Sequence, residues 1–115
     1  MLQPSLFGRY PDVLGDEDRE RLFEMWMCAN PEAVGEMVEW AYAIDRKGMP
    51  VSVQYLFEKE RYEGTARLVP VPFTTESGER REYGINHNDR ALFGRWLKEK
   101  HPALRVTTRK SRWDA

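Results

Sequence analysis

The spacing of apolar residues changes at Gly64, from a helical repeat before it to a strand-like alternation after it. Before this glycine, apolar residues recur three and four positions apart, which places them on one face of a helix. The repeat predicts three helices: one over about 16–28, one that begins at Pro31 and is closed by Gly48, and one over about 52–63.

Polar residues stand where these helices should begin. Acidic side chains at positions 16–18 complement the positive end of the first helix. Asn30 precedes the second helix and Ser52 precedes the third, and both residue types cap helices by accepting backbone N–H bonds. We therefore expect Asn30 and Ser52 to act as caps.

The stretches 67–73 and 80–85 alternate like strands and predict a β-hairpin. Pro70 and Pro72 normally disfavour a strand, because proline has no N–H to donate. Their spacing of two puts both missing donors on one side, so Val69 and the alternate residues after it can still pair with the partner strand. The proline side is then an open edge that no other strand can join.

A last helix is expected over about 89–100, with Asn86 or Asn88 as its cap and Pro102 as its stop. The resulting order is three helices, two strands and a helix. This is the order of a winged helix-turn-helix with an added C-terminal helix, so we predict an α+β fold of winged-helix type.

A length of 115 residues suits one domain. We place that domain at 16–104, after an irregular N-terminal arm at 1–15 and before a basic C-terminal tail at 105–115. Winged-helix proteins often pair through their terminal helices, which leaves a homodimer open, although no heptad pattern specifies one.

Composition excludes several classes of protein. An apolar content of 41% with 12% aromatic residues argues against global disorder. Cys28 is the only cysteine and cannot form an internal disulfide, which favours a reducing cytoplasm, and its position on an apolar helix predicts a packing role. No apolar run approaches the ~20 residues that span a bilayer, and the N-terminus lacks the features of a signal peptide. We expect a cytoplasmic protein without membrane association.

Charge is segregated along the chain. Residues 1–63 carry 7 basic and 13 acidic side chains, residues 64–89 carry 3 and 4, and residues 90–115 carry 8 and 2. A basic C-terminal region points to an anionic partner, and duplex DNA is the first candidate. The same region can also pack on the acidic front of the chain or remain a solvated tail, and the sequence leaves these alternatives open.

The nucleic-acid hypothesis has candidates at the hairpin and in the C-terminal region. The candidate phosphate contacts are Arg80, Arg81, Arg95, Lys98, Arg105, Arg109, Lys110 and Arg112. In a winged helix the third helix enters the major groove, and its candidate contacts are Gln54, Tyr55, Lys59 and Arg61. Residues 52–63 have a net charge of −1, however, which favours a solvated helix over one that lies among phosphates.

The acidic first half supports a second hypothesis, a protein-binding inhibitor or adaptor that acts on a host protein complex. Carboxylates on the first two helices could imitate nucleic acid and occupy a basic groove. The candidate residues are Asp16, Glu17, Glu20, Glu24, Glu36 and Glu39. A contiguous exposed strip of these carboxylates would favour this hypothesis.

No catalytic or metal-binding motif supports an enzyme. His87 lies in the segment 86–90, which also holds two asparagines, an aspartate and an arginine at a strand-to-helix corner. Capping chemistry explains these residue types, and His101, the only other histidine, is at no recognisable ligand spacing. We predict a non-enzymatic protein with no cofactor and no metal.

The segment 83–104 runs from a strand into an asparagine-rich corner, then into a helix with aromatic–leucine pairs and a closing His101-Pro102. This pattern resembles small uncharacterised proteins carried by bacteriophages and prophages. The resemblance implies an accessory phage protein in the cytoplasm of a bacterial host.

Overall fold

Four α-helices and two small sheets make up residues 9–107, the part of the chain that the computed structural model describes. In chain order the elements are α1 (Asp16–Ala29), α2 (Pro31–Arg46), β1 (Val51–Ser52), α3 (Val53–Glu63), β2 (Val71–Thr74), β3 (Arg80–Tyr83), a 3₁₀ turn (His87–Asp89), α4 (Arg90–Lys100) and β4 (Val106–Thr107). The α+β class and the order of helices and hairpin are as predicted. The winged-helix type remains a prediction.

Contacts between these elements divide the described chain into two compact units. The hairpin unit consists of residues 9–31 and 67–85, and contains α1, β2 and β3. The helical unit consists of residues 32–66 and 86–107, and contains nearly all of α2 together with α3, α4 and the β1–β4 pair.

In the hairpin unit, α1 packs against β2. The buried residues of α1 recur at helical spacing and form the core of this unit with residues from the hairpin and the segment before α1. This core consists of Tyr10, Leu22, Phe23, Trp26, Val71 and Tyr83. Cys28 is exposed, so its predicted packing role is wrong. It follows Glu24 by four positions and therefore lies on the solvent side of α1.

The strands β2 and β3 pair antiparallel, with Val71 opposite Tyr83. The prediction that Val69 also pairs with the partner strand is wrong. The Val69 N–H donates to Asn30 Oδ1 at 2.6 Å, and Asn30 Nδ2 donates to the Val69 carbonyl at 2.9 Å. The buried Asn30 amide also donates to the Trp26 carbonyl at 2.9 Å, so it joins the end of α1 to the chain before β2.

The prediction that no other strand joins the proline side of β2 holds at Pro72 but not at the end of the strand. Pro72 lies within β2 opposite Glu82, and the β2–β3 sheet has two strands in the part of the chain described. Beyond the prolines, an isolated parallel bridge joins this edge, where the Tyr10 N–H donates to the Thr74 carbonyl at 2.8 Å.

In the helical unit, local caps set the starts of α3 and α4. The Ser52 hydroxyl accepts the Tyr55 N–H at 3.2 Å, which confirms the predicted cap. Asn86 and Asp89 form a reciprocal capping box at the 3₁₀ turn, so Asn86 is the residue that caps this corner. The buried apolar residues of this unit are Ala33, Val34, Met37, Ala41, Val51, Val53, Leu56, Phe57, Phe93, Leu97 and Leu104.

A parallel pair of two-residue strands, β1 and β4, completes the helical unit. Val51 lies opposite Val106, and the Val51 N–H donates to the Arg105 carbonyl at 2.7 Å. No apolar spacing predicts this pairing, and β4 falls within the stretch interpreted as a tail. Within residues 9–107, no helix is long and apolar enough to cross a membrane.

Candidate nucleic-acid interface and buried carboxyl pair

The predicted phosphate-binding residues fall in two different units. Arg80 and Arg81 lie on β3 in the hairpin unit, and Arg95, Lys98 and Arg105 lie in the helical unit. The remaining three candidates, Arg109, Lys110 and Arg112, lie outside the described residues.

The two hairpin arginines are exposed but do not act as a pair. Successive residues of a strand point to opposite faces, so Arg80 and Arg81 project to different sides of the hairpin. Arg81 Nε donates to the Glu79 carboxylate at 2.6 Å, and the guanidinium makes a second contact with the same group. Arg80 makes no ion pair with any residue from 9 to 107.

The turn between the two strands already binds a carboxylate of the chain itself, that of Asp12. Ser77 donates to Asp12 Oδ1 from its hydroxyl at 2.9 Å and from its backbone N–H at 3.2 Å. These bonds, with a smaller contribution from the Arg81 charge, lower the pKa of Asp12. Since the Asp12 carboxylate occupies the donors that a phosphate would need, the hairpin turn is a poor phosphate site.

Helix α4 carries the more accessible cations. Arg95 and Lys98 are exposed and three positions apart, so they share one side of the helix. Lys100 is exposed in the last turn, on a different side of the helix. Neither Lys98 nor Lys100 makes an ion pair with the described part of the chain. Glu99 is the only acidic residue of α4. The last turn of a helix also favours cations through its dipole, so these lysines stabilise α4 as well.

Arg105 is engaged within the helical unit. Its Nε lies 3.2 Å from Asp45 Oδ1, its Nη2 donates to the Asp45 carbonyl at 3.4 Å, and its backbone N–H donates to Asp45 Oδ1 at 3.4 Å. These contacts hold the chain just before β4 against the end of α2. The structure therefore gives Arg105 a role in positioning β4.

Half of the predicted groove-reading residues on α3 have partners within the helical unit. Gln54 accepts from Arg90 Nη1 at 2.6 Å and donates to Glu58 at 3.1 Å. Lys59 donates to Glu63 at 2.9 Å, which raises the Lys59 pKa, and its ammonium lies 4.9 Å from the centre of the Trp40 ring. Tyr55 and Arg61 remain exposed.

The acidic candidates also separate between the two units. Asp16, Glu17, Glu20 and Glu24 are exposed and lie on one side of α1. Glu39 is exposed on α2 in the helical unit, but Glu36 is bound within its own unit.

The Glu36 carboxylate binds the segment that follows α3. It accepts the Thr65 N–H at 2.9 Å, the Thr65 hydroxyl, and the Ala66 N–H at 3.3 Å. These donors, the Thr65 hydroxyl first among them, lower the pKa of Glu36 to about 2.

Glu60 faces Glu36 from α3, and we call these two residues the carboxyl pair. Glu60 is 6% exposed and neither of its oxygens has a protein donor. Burial, and then the neighbouring Glu36 carboxylate, raise the pKa of Glu60 to about 7. The sequence carried a signal for this position, since Glu60 continues the buried series of Val53, Leu56 and Phe57 at helical spacing.

No other described cluster points to metal or acid–base chemistry. Residues 9–107 contain no group of three or more potential metal ligands. His87 is exposed at the 3₁₀ turn, and His101 Nδ1 lies 2.9 Å from the Tyr42 hydroxyl with Trp96 edge-on to its ring. Neither histidine therefore lies in a cluster of potential metal ligands among the described residues.

Comparison with models of protein families, with curated proteins and with solved structures finds no match to this chain.

Proposed function

We propose that this chain is a small non-enzymatic protein that binds duplex DNA, or a complex already on DNA, through its basic C-terminal region. The observation that carries the proposal is the set of exposed cations on the second half of α4, Arg95, Lys98 and Lys100, with Glu99 as the single acidic residue of the helix. The sequence continues from this helix into a segment with further cations. These are Arg105, Arg109, Lys110 and Arg112.

The contacts of α3 favour phosphate binding over base reading. Gln54 and Lys59 have partners within the helical unit, so α3 offers few free groups to base edges. Cations on α4 need only contact phosphates of the DNA backbone. Such contacts fix the position of a protein on the duplex but do not distinguish base sequences. The proposal places the protein in a bacterial cytoplasm as a phage or prophage accessory protein of winged-helix type, which agrees with its element order and with the resemblance of the segment 83–104.

Fluorescence anisotropy with a labelled random duplex over a series of salt concentrations tests the proposal. Each phosphate contact contributes about −0.9 to the slope of log K against log salt. Replacing Arg95, Lys98 and Lys100 together by glutamine should therefore reduce the slope by about 2 to 3 and weaken binding to all sequences alike.

A matched control removes the same charge from positions that are not candidate DNA contacts. Its three substitutions, at exposed cations outside α4, are Arg46→Gln, Lys47→Gln and Arg67→Gln. If both triple variants lose affinity equally, the contact is a general charge effect and α4 is not the interface. Absence of any duplex binding at low salt would refute the proposal altogether.

The exposed side of α1 supports a second candidate function, inhibition or adaptation of a basic host protein. Four of the five carboxylates of α1, those of Asp16, Glu17, Glu20 and Glu24, lie on one side of this helix and are exposed. A row of carboxylates at this spacing presents a negative field to a groove that normally holds nucleic acid.

A pull-down from nuclease-treated bacterial lysate tests this second candidate. The wild-type chain should retain a DNA-binding protein that duplex DNA displaces. A variant with the four exposed α1 carboxylates changed to amides should not retain it. A variant with four exposed carboxylates neutralised elsewhere serves as the control. Its substitutions are Glu32→Gln, Glu58→Gln, Glu76→Gln and Glu99→Gln. Equal retention by both variants would exclude α1 as the binding surface.

A further inference from the structure

The two carboxyl groups of the carboxyl pair face each other without a hydrogen-bond donor for Glu60, so they are not both stable as carboxylates. Glu60 lies on the buried side of α3, and its carboxyl group is folded back against Gly64, where a Cβ atom would collide with it. Neither oxygen of Glu60 has a protein donor, and the group that faces it is the Glu36 carboxylate. Two facing carboxylates have no hydrogen between them, so one of the pair must hold a proton to form a bond.

The contacts of Glu36 decide where that proton lies. Glu36 accepts bonds from Thr65 and Ala66, all of which favour its ionised form. Glu60 is buried without donors, which favours its neutral form. The proton therefore belongs to Glu60, whose O–H is then able to donate to Glu36.

We infer that Glu60 keeps its proton in the folded chain and donates a hydrogen bond to Glu36. We further infer that loss of this proton to solvent loosens the segment 64–66 from α2. This inference is independent of the proposed function, since it concerns neither α4 nor α1. When Glu60 ionises, two adjacent negative charges repel each other, and Glu36 is the more exposed of the two. Its bonds to Thr65 and Ala66 are therefore the ones that weaken.

Glu60 has few charged neighbours besides Glu36. On α3 itself, Lys59 is directed to Glu63 and Trp40, and Arg61 is exposed. From α2, α4 and the β1–β4 pair, Glu36 is the one charged group in residues 9–107 that perturbs Glu60. Burial and Glu36 together raise the pKa of Glu60 to about 7, which places the loss of the proton near neutral pH.

Nuclear magnetic resonance titration of the full chain from pH 5 to 9 tests the inference. The ¹³C shift of the Glu60 carboxyl should show a midpoint near 7, and the amide protons of Thr65 and Ala66 should move upfield with the same midpoint. In Glu60→Gln, which keeps a donor without a titrating proton, both amide shifts should stay constant. Glu63→Gln, an exposed neighbour on the same helix, should titrate like the wild type.

A second variant gives a result even if Glu60→Gln fails to fold. In Glu36→Gln the amide can donate to an ionised Glu60, so the Glu60 midpoint should fall by about one unit or more. A wild-type Glu60 midpoint near the ordinary 4.5 would overturn the inference. So would amide shifts of Thr65 and Ala66 that show no inflection at the Glu60 midpoint, or an unchanged midpoint in Glu36→Gln.

Discussion

Replacing Glu60 by glutamine should stabilise the protein at pH 8 and change its stability little near pH 4. At low pH the wild-type side chain is a neutral acid that donates to Glu36, and the glutamine amide replaces that donor at nearly the same size. At high pH the wild-type chain must bury a carboxylate beside another carboxylate, whereas the variant carries no charge at this position.

The magnitude follows from the difference between the folded and unfolded pKa of Glu60. The folded chain holds this proton to about pH 7, compared with an ordinary 4.5. Because the folded state binds the proton more tightly, the stability linked to it is complete below 4.5 and is lost as the pH rises to 7. The difference in pKa corresponds to a loss of about 3 kcal/mol in the free energy of unfolding. Glu36 acts in the opposite sense, since its lowered pKa gives stability that is lost only as the pH falls from 4.5 towards 2.

Urea denaturation at pH 4, 5, 6, 7 and 8, followed by tryptophan fluorescence, measures this difference. The free energy of unfolding of Glu60→Gln minus that of the wild type should rise by about 3 kcal/mol between pH 4 and 8, with an unchanged urea dependence. Glu63→Gln, at an exposed position on the same helix, should show no such rise. A difference that is constant from pH 4 to 8 would refute the assignment of the proton to Glu60.

Two further substitutions test contacts of the segment 64–70, which lies between α3 and β2. Asn30 binds Val69 near the end of this segment, and Gly64 is at its start. Asn30→Ala removes a buried amide that bonds both backbone groups of Val69, so it should lower the free energy of unfolding by about 2–4 kcal/mol. In the same urea titration, the control Asn88→Ala, at an exposed position, should have little effect. Gly64→Ala places a methyl group against both the Glu60 carboxyl and the Glu60 backbone carbonyl, so it should displace the carboxyl, shift the end of α3 and return the Glu60 pKa towards 4.5. An unchanged Glu60 titration in Gly64→Ala would contradict the close packing of Glu60 against Gly64.

The helices were predictable because their boundaries depend on residues close in sequence. Ser52 caps α3 through a residue three positions later, and Asn86 caps the α4 corner through Asn88 and Asp89. Such caps act within one turn, so a local sequence pattern contains the information needed to place them.

The contacts that were missed join residues far apart in sequence. The β1–β4 pair links Val51 to Val106 through strands of two residues, which are too short to produce an alternation. Asn30 is a plausible helix cap by type, but its amide is held by Val69, and no spacing rule connects the two positions. The helical spacing places Glu60 on the apolar face of α3, but the charge of its side chain suggests a solvated position.

The Asn30–Val69 contact has a consequence for solubility. A strand whose N–H and C=O groups are left free recruits strands from other molecules and seeds aggregation. On one side of the chain leading into β2, prolines at 70 and 72 remove the donors, and on the other side the Asn30 amide occupies both backbone groups of Val69. The hairpin thereby loses the continuous row of backbone donors along this strand that self-association would require. We therefore expect Asn30 and the two prolines to hinder self-association of this protein through β2.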